Sequence, residues 1–555
     1  MGGAARGPRY VAAVMAIAGL GALAPMLPAA AASGRQGAVA DGSARGSFTS
    51  TLIHRLRAGG FLVSQGYPML YAKDPARTCR DYTYPALKTC IAANPAAPYV
   101  VTVVKSWPHE YVNKSLVNAF GKVRPGYSPT YRMDPRDAIV LYGTMPPPGA
   151  YMGEQTWQWS QAGHWTAADY LRWAADPLRP WPMVYMFSTL PPDHPKADRT
   201  LSFSAIGDPI NNVVMQRKSG YSFGKKRYFI ITPSATTDRA VRRALQAQGV
   251  PGSDIFTQQI PARDRLGQIG PLGMGKGAID FNTWFRYLMP SNPRAAAQWR
   301  SRLPLTVLRV RAPASLGPVR RYQMMQAAKR TARSEAYLAG DMRNLVSAVC
   351  QRVSSVTGLQ STDCKRQPPP VSSLLLDSVS EFGMTGPYCR QISANCDGDN
   401  PDTTFFWSRP LPLDSGQVYA LVDTLATQTG NASFMGLGVV DAASFYAPAN
   451  LPNFVLQGSA DSYAGTVPHA GKFFVHYFTR HCAVLSGLLG SNLARDCTEI
   501  TNTMVPPRGD STALGHSYLR GRWIALIRDY LAPGTARGPD AAKLLKPRML
   551  EFTRP

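Results

Sequence analysis

The stretch SGYSFGKKRYFIIT (219–232) contains Gly220-Tyr221-Ser222-Phe223-Gly224, the G-x-S-x-G spacing of a serine-hydrolase nucleophile elbow. An elbow places a strand before the serine and a helix after it, so that the hydroxyl stands exposed on a strained turn. Here VVMQR (213–217) and RYFIIT (227–232) both read as strands, so Ser222 is expected as a turn residue at a hairpin tip. The run GQIGPLGMGKG (267–277) approaches a phosphate-binding loop through Gly270, Gly275 and Lys276. Gly277 stands where Mg2+ needs a hydroxyl, and the run reads as a flexible loop.

Five of the ten tryptophans fall in EQTWQWSQAGHWTAADYLRWAADPLRPW: Trp157, Trp159, Trp165, Trp173 and Trp181. Indole faces stack on sugar rings or enclose apolar ligands, and Glu154, His164 and Asp169 in the same stretch are the acid/base candidates beside them. Trp157 and Trp159 share one face of a strand, with Trp165 and Trp173 on a following helix. The competing expectation is a core built from tryptophan.

Cys396-Asp397-Gly398-Asp399-Asn400-Pro401-Asp402 gathers oxygen ligands closely enough for a hard cation, so Asp397, Asp399 and Asp402 are candidate calcium ligands. The run lacks the distal glutamate of an EF-hand loop, and a capped turn beside a disulfide explains it equally. Calcium is the only cofactor the sequence suggests. Thr236 and Thr237 sit at the start of a helix, where N–H groups attract anions, although ordinary capping uses the same residues. His469, His476 and His481 do not converge: His476 and His481 are five residues apart and diverge on either a strand or a helix.

The elements that must position these residues alternate strands with loops. Strands are expected over 98–105, 138–143, 183–189, 227–232, 254–260, 303–312, 418–426, 434–442 and 472–479, with a helix from Thr236 to Gln248. Strand, helix and strand over 227–260 make a βαβ unit, hence a parallel strand pair. A long helix is expected over 319–350 and another around Leu519, Trp523, Leu526, Ile527 and Tyr530. VLYGTMPPPGAYMG (140–153) and VDTLATQTGNASFMG (422–436) echo one another, each running from strand through turn to aromatic-Met-Gly; an ancient duplication would explain this, as would two generic hairpins, the reading preferred.

The fold class expected is mixed α/β or α+β. Residues 1–32 read as a signal peptide and 33–47 as a flexible leader. An N-terminal domain spans 48–318, a helical connector with a Pro-rich linker 319–370, and an α+β domain 371–555. No run beyond the signal is long and apolar enough to span a bilayer. Eight cysteines form four local pairs, Cys79/Cys90, Cys350/Cys364, Cys389/Cys396 and Cys482/Cys497, which suit disulfides rather than zinc and place the protein in the periplasm or outside the cell.

With 60 Lys+Arg against 34 Asp+Glu, the formal charge is +26, which favours anionic partners. The basic residues are dispersed, without a nucleic-acid-binding motif, so dedicated nucleic-acid recognition is not expected. Oligomeric state is not legible. Two functions follow. One is an exported hydrolase of sugar-containing or anionic material, using Glu154, His164 and Asp169. The other is a non-catalytic envelope or extracellular protein that binds anionic or carbohydrate ligands.

Overall fold

AIVLYG, RYFIIT and LTVLRV are short runs in which β-branched and other apolar residues occupy successive positions, the pattern of strands covered on both faces. The computed structural model describes residues 41–554 except 72–73, 88, 98, 114–116, 164–198, 265–266, 325–327, 366–374, 378–395, 397, 491–494 and 508–518. The expected signal peptide, the strand at 183–189 and the linker from 366 lie outside the described residues. By contacts Met1–Thr49 is one unit and Ser50–Pro555 another, and the account below concerns the second.

Leaving aside single turns and two-residue strands, the first half runs α1 (Asp41–Ala58), β1 (Leu62–Gln65), β2 (Tyr67–Tyr71), β3 (Tyr99–Lys105), β4 (Asp137–Thr144), β5 (Gly149–Ala162) and β6 (Arg199–Ala205). It continues with α2 (Asn212–Ser219), β7 (Lys226–Thr232), α3 (Ala235–Gln246), β8 (Ile255–Gln259), β9 (Asp280–Pro290), α4 (Pro293–Arg302) and β10 (Leu305–Arg311). The second half begins with α5 (Ala339–Thr357), β11 (Leu375–Asp377), β12 (Thr403–Ser408), β13 (Val418–Thr424), β14 (Phe434–Asp441) and β15 (Tyr446–Pro452). It ends with β16 (Phe473–Thr479), α6 (Cys482–Leu489), β17 (Cys497–Glu499), β18 (Arg522–Tyr530) and β19 (Arg548–Phe552). The architecture is mixed α/β with several sheets.

The second half repeats the first. One sheet of the first half has the order β1-β10-β4-β7-β8, and its counterpart the order β19-β13-β16-β17. In each, only the last pair is parallel, with α3 or α6 between the paired strands. Leu62 pairs with Arg311 at the end of β10, and an isolated bridge from Gln360 to Thr553 takes that place after β19. The other sheet has the order β2-β3-β9-β5-β6 in the first half and β11-β12-β18-β14-β15 in the second, antiparallel throughout.

Individual hydrogen bonds recur with the strands. Thr232 Oγ1 donates to Asp137 O at 2.7 Å, and Thr479 Oγ1 to Gln417 O at 2.9 Å. The Ser234 and His481 N–H groups donate back to those hydroxyls at 3.2 and 3.4 Å. Ile260 N–H reaches Thr232 O at 3.0 Å, as Ile500 N–H reaches Thr479 O at 2.9 Å. The echo at 140–153 and 422–436 therefore marks this repeat and not two hairpins, because β4 and β5 lie in different sheets, as do β13 and β14.

Each repeat packs its two sheets face to face. Ile139, Leu141, Phe229 and Val307 meet Met152, Phe281 and Phe285 in the first, and Leu421, Phe474 and Phe478 meet Leu437, Trp523 and Ile527 in the second. The outer face of β13 and β16 is covered by α5 through Leu345, Val349 and Val353. A further core joins the repeats: Tyr151, Trp157, Trp159, Phe203 and Trp284 pack with Phe434, Tyr530 and Leu531. Contacts accordingly keep Ser50–Pro555 together as one unit, with no division between residues 318 and 371.

Three elements differ from expectation. Residues 213–217 belong to the helix α2, because Asn211 caps it by accepting from the Val213 and Val214 N–H groups. The helix expected over 319–350 starts only at Ala339, since residues around Arg321–Tyr322 pair as extended chain with Pro233 and Ser234. Residues 522–530 form strand β18. Its apolar residues fill two cores, Trp523, Ala525 and Ile527 on one face and Ile524 and Leu526 on the other, so the alternation that marks a half-buried strand is absent.

Disulfides join Cys79–Cys90, Cys350–Cys364 and Cys482–Cys497, with Cα separations of 5.3, 5.8 and 5.9 Å. Cys389, expected to pair with Cys396, lies outside the described residues. Among the described residues no helix is long and apolar enough to cross a membrane.

Candidate functional site

The expected site residues scatter. Trp157 and Trp159 do share one face of β5, but that face is the inter-repeat core and neither indole reaches solvent. Glu154 lies on the opposite face of the same strand, also buried, because residues an odd number apart alternate sides. Burial pushes its carboxyl up to about 8, so it is protonated at neutral pH. It therefore does not stand beside a tryptophan platform. His164, Trp165, Asp169, Trp173 and Trp181 lie outside the described residues.

The aspartate loop faces inward. Asp399 accepts from the Ala205 N–H and offers its carbonyl to Trp157 Nε1 at 2.9 Å. Asp402 accepts from Tyr151 OH and Asn211 Nδ2, both at 2.8 Å, and both aspartates are buried. These oxygens clamp one repeat to the other instead of opening to a cation. Asp397 lies outside the described residues, among which no cluster of His, Cys, Asp and Glu is placed to hold a metal.

At the start of α3, Ser234 caps the Thr237 N–H, Thr236 bonds to Pro318 O and the Arg320 N–H, and Thr237 Oγ1 donates to Arg136 O. The chain's own 318–320 segment thus occupies the place expected for an anion. Ser222 is buried between a helix and a strand, the reverse of an elbow, and donates to Gly220 O at 3.2 Å. The 267–277 loop presents carbonyls: Gly275 O and Lys276 O accept from Arg132 and Arg199. His476 is buried on β16 and accepts or donates through Nε2 to Thr498; burial holds its pKa down at about 3.

What tertiary structure does bring together is a pair of arginines. Arg286 on β9 stands opposite Gly153 of β5 and Tyr99 of β3. Arg528 on β18 stands opposite Gly436 of β14 and Phe405 of β12, the same positions in the second repeat. The glycines are the last residues of the two aromatic-Met-Gly echoes, and a side chain at either would displace a neighbouring side chain. A Cβ on Gly153 would lie 2.5 Å from Tyr151 OH, one on Gly436 2.7 Å from Asn450 Oδ1, and one on Gly438 2.6 Å from Arg528 Nη1.

Both arginines line one small cavity between the repeats, about 40 Å3, walled by Tyr99, Trp157, Trp284 and Tyr530. Arg286 is 4% exposed and Arg528 3%. Arg286 Nη2 donates to Gln155 Oε1 at 2.7 Å and Asn400 Oδ1 at 3.0 Å, and its guanidinium lies over the rings of Tyr151 and Trp157 at 5.7 and 5.4 Å. Its Nε has no hydrogen-bond partner among the described residues. Arg528 donates to Ala92 O at 2.9 Å and Asn450 Oδ1 at 3.4 Å.

Among the described residues neither arginine is paired with a carboxylate within 4.0 Å. Burial lowers the Arg528 pKa; at Arg286 burial is outweighed by Tyr151 and Asp402, which raise it. Asp402 is itself pushed up by burial to about 7 despite Arg286 nearby. Two guanidinium groups so deeply buried, with Asp402 acting on Arg286 only from beyond salt-bridge range, are costly unless something anionic joins them. A cavity this size exceeds the roughly 10–15 Å3 that one water needs, and it suits a carboxylate or similarly small oxyanion. The sequence signal for these residues was present: Arg286-Tyr-Leu-Met-Pro290 and Arg528-Asp-Tyr-Leu-Ala-Pro533 are a second echo beside the first.

No family model matches the chain, and no curated protein does. Among solved structures it is similar to a putative uncharacterized protein from Burkholderia cenocepacia, at 9% identity over 94% of this chain and 92% of that one, with a TM-score of 0.30. It is also similar to the VPA0106 protein from Vibrio parahaemolyticus, at 10% identity over 86% of this chain and 98% of that one, with a TM-score of 0.30.

Proposed function

We propose that the protein is exported, to the periplasm or beyond, and acts as a non-catalytic binding protein whose inter-repeat cavity holds the anionic group of its ligand. One observation carries this reading: Arg286 and Arg528, at equivalent positions of two repeats, reach the same aromatic-walled cavity without a carboxylate between them. The high net charge steers anions towards the molecule, and the disulfides and apparent leader favour export. The hydrolase alternative loses Glu154 to the core, and its other residues, His164 and Asp169, lie outside the described part.

Acetate, galacturonate, sulfate and phosphate are the probes. Calorimetric titration of the mature protein should show saturable binding of at least one, accompanied by a rise in Tm. Arg286→Met and Arg528→Met should each weaken it by at least about tenfold, because each removes one charge-assisted contact worth about 1.5–3 kcal/mol. The unliganded variants should keep or gain Tm, since replacing a buried charge by an apolar chain is often neutral or stabilising. Binding of none of the four at millimolar concentration, or binding unchanged in both variants, would overturn the reading.

A further inference from the structure

The two repeats differ where a chain segment crosses the start of the helix between the parallel strands. In the first repeat residues 318–324 lie there. Ala235 N–H donates to Arg320 O at 2.8 Å, Tyr322 N–H to Pro233 O at 3.2 Å, Ala262 N–H to Tyr322 O at 2.8 Å, and Arg263 N–H to Gln323 O at 3.2 Å. Bridges Ser234↔Arg321 and Arg263↔Met324 make this an added, extended strand, and Tyr322 OH anchors it on Asp238 at 3.2 Å. The chain fills that groove with its own backbone.

The matched hydrogen bonds of Thr232 and Thr479, and of Ile260 and Ile500, fix the counterparts in the second repeat. Pro233 corresponds to Arg480, Ser234 to His481 and Ala262 to Asn502. No described segment crosses there. A cavity of about 390 Å3 opens instead, lined by Asp414, Arg480, His481, Asn502, Arg520 and Arg522 among others. The Arg480 carbonyl and Asn502 N–H, which correspond to the groups that pair with Tyr322 in the first repeat, have no backbone partner among the described residues. The Cys482 N–H, counterpart of Ala235 N–H, is taken by Glu499 Oε2 at 3.1 Å.

The lining is positive. Arg480 is held by the carbonyls of Leu413, Ile500 and Val505, and Arg522 by that of Pro410, which fixes both guanidinium groups at the rim without neutralising them. Among the described residues Arg520 Nε has no hydrogen-bond partner and Asp414 is the only acid in the wall, and His481 is exposed.

We propose that this groove receives an extended acidic peptide segment of a partner protein. The segment pairs its backbone with Arg480 O and Asn502 N–H, as residues 318–324 pair in the first repeat, and sets its carboxylates against Arg520 and Arg522. Backbone pairing supplies affinity and the arginines select for acidic side chains. A peptide, not a saccharide, is the occupant because a peptide occupies the equivalent place. The site is separate from the inter-repeat cavity and stands without it.

The test is fluorescence anisotropy of the mature protein with a labelled octapeptide of alternating glutamate and valine, beside the same peptide N-methylated at alternate amides and an unlabelled oligogalacturonate as competitor. The expected result is binding of the plain peptide, weakened at least about tenfold by N-methylation and by Arg520→Glu, and unchanged in Arg239→Gln, at an exposed arginine of α3 outside both sites. Arg520→Gln, with a smaller loss, serves if Arg520→Glu lowers Tm. No binding of the plain peptide up to about 1 mM would overturn the proposal. So would equal binding of the methylated peptide, or displacement by oligogalacturonate at the peptide's own concentration, either of which reduces the groove to a general anion site.

Discussion

At the scale of single residues the molecule buries several carboxyl groups whose pKa values burial raises. Among the described residues Glu154 Oε2 has no hydrogen-bond partner, and its other carboxyl oxygen accepts from Thr156 at 3.4 Å. Burial raises its pKa from 4.5 to about 8, and raises Asp402 to about 7 and Asp441 to about 6. A carboxyl whose pKa is higher folded than unfolded holds its proton more tightly in the fold. The associated stability is fully present below the unfolded value and is lost as pH rises through the folded one. Stability should therefore fall between pH about 4.5 and 8, and Glu154→Gln should flatten that fall, an effect on the order of a few kcal/mol at pH 8. Urea unfolding across this pH range measures it, and identical slopes in the variant would show that Glu154 is solvated. His476 acts in the opposite direction. With its pKa held at about 3 by burial, it should destabilise the fold only as pH drops below 6.5. None of these shifts can be read from residue type, because the largest cause of each is burial, which tertiary packing decides.

At the scale of elements, the recurrent unit is a parallel strand pair stapled through one threonine. Thr232 and Thr479 each donate to a carbonyl at or just before the start of the adjacent antiparallel strand, and accept from the N–H of the residue two positions on, which precedes the next helix. Thr232→Val and Thr479→Val should each cost about 1 kcal/mol, the usual net worth of a buried hydrogen bond, as measured by urea unfolding. A cost at only one position would argue against their equivalence. The two helices that follow are not equally self-sufficient: α3 has twelve residues and a serine cap, whereas α6 has eight and no side-chain cap. The Cys482–Cys497 disulfide ties the start of α6 to β17 and compensates.

Much at this scale was legible. The strands at 227–232, 418–426 and 434–442 and the helix from Thr236 show their type by β-branched runs or by a cap followed by a 3.6-residue stripe. Residues 522–530 did not, because a strand buried on both faces loses its alternation. Neither did 213–217, where a capping asparagine outweighs two valines.

At the scale of the whole molecule, the repeats interlock through groups that neither could satisfy alone. Tyr151 and Asn211 of the first repeat need Asp402 of the second, Trp157 needs the Asp399 carbonyl, and Arg537 of the second reaches Asp208 of the first at 2.6 Å. The aromatic core between them is shared. Ser50–Pro555 should therefore unfold in one calorimetric transition, and Asp402→Ala should lower its midpoint while keeping it single, because it leaves two buried donors without an acceptor. Two resolved transitions in the unmodified protein would mean that the halves are separate domains after all.

The sequence alone determined the mixed α/β class, most strands, the three described disulfides through the local spacing of their cysteines, and the strongly positive charge. These follow from local patterns: periodicity, caps, cysteine spacing and counts. Only the tertiary structure decided that the halves are repeats, that the tryptophans and aspartates join them, and that Arg286 and Arg528 share a cavity. Strand order and contact across an interface depend on which apolar faces find each other. That pairing is written in burial and register, which no short window of the chain contains.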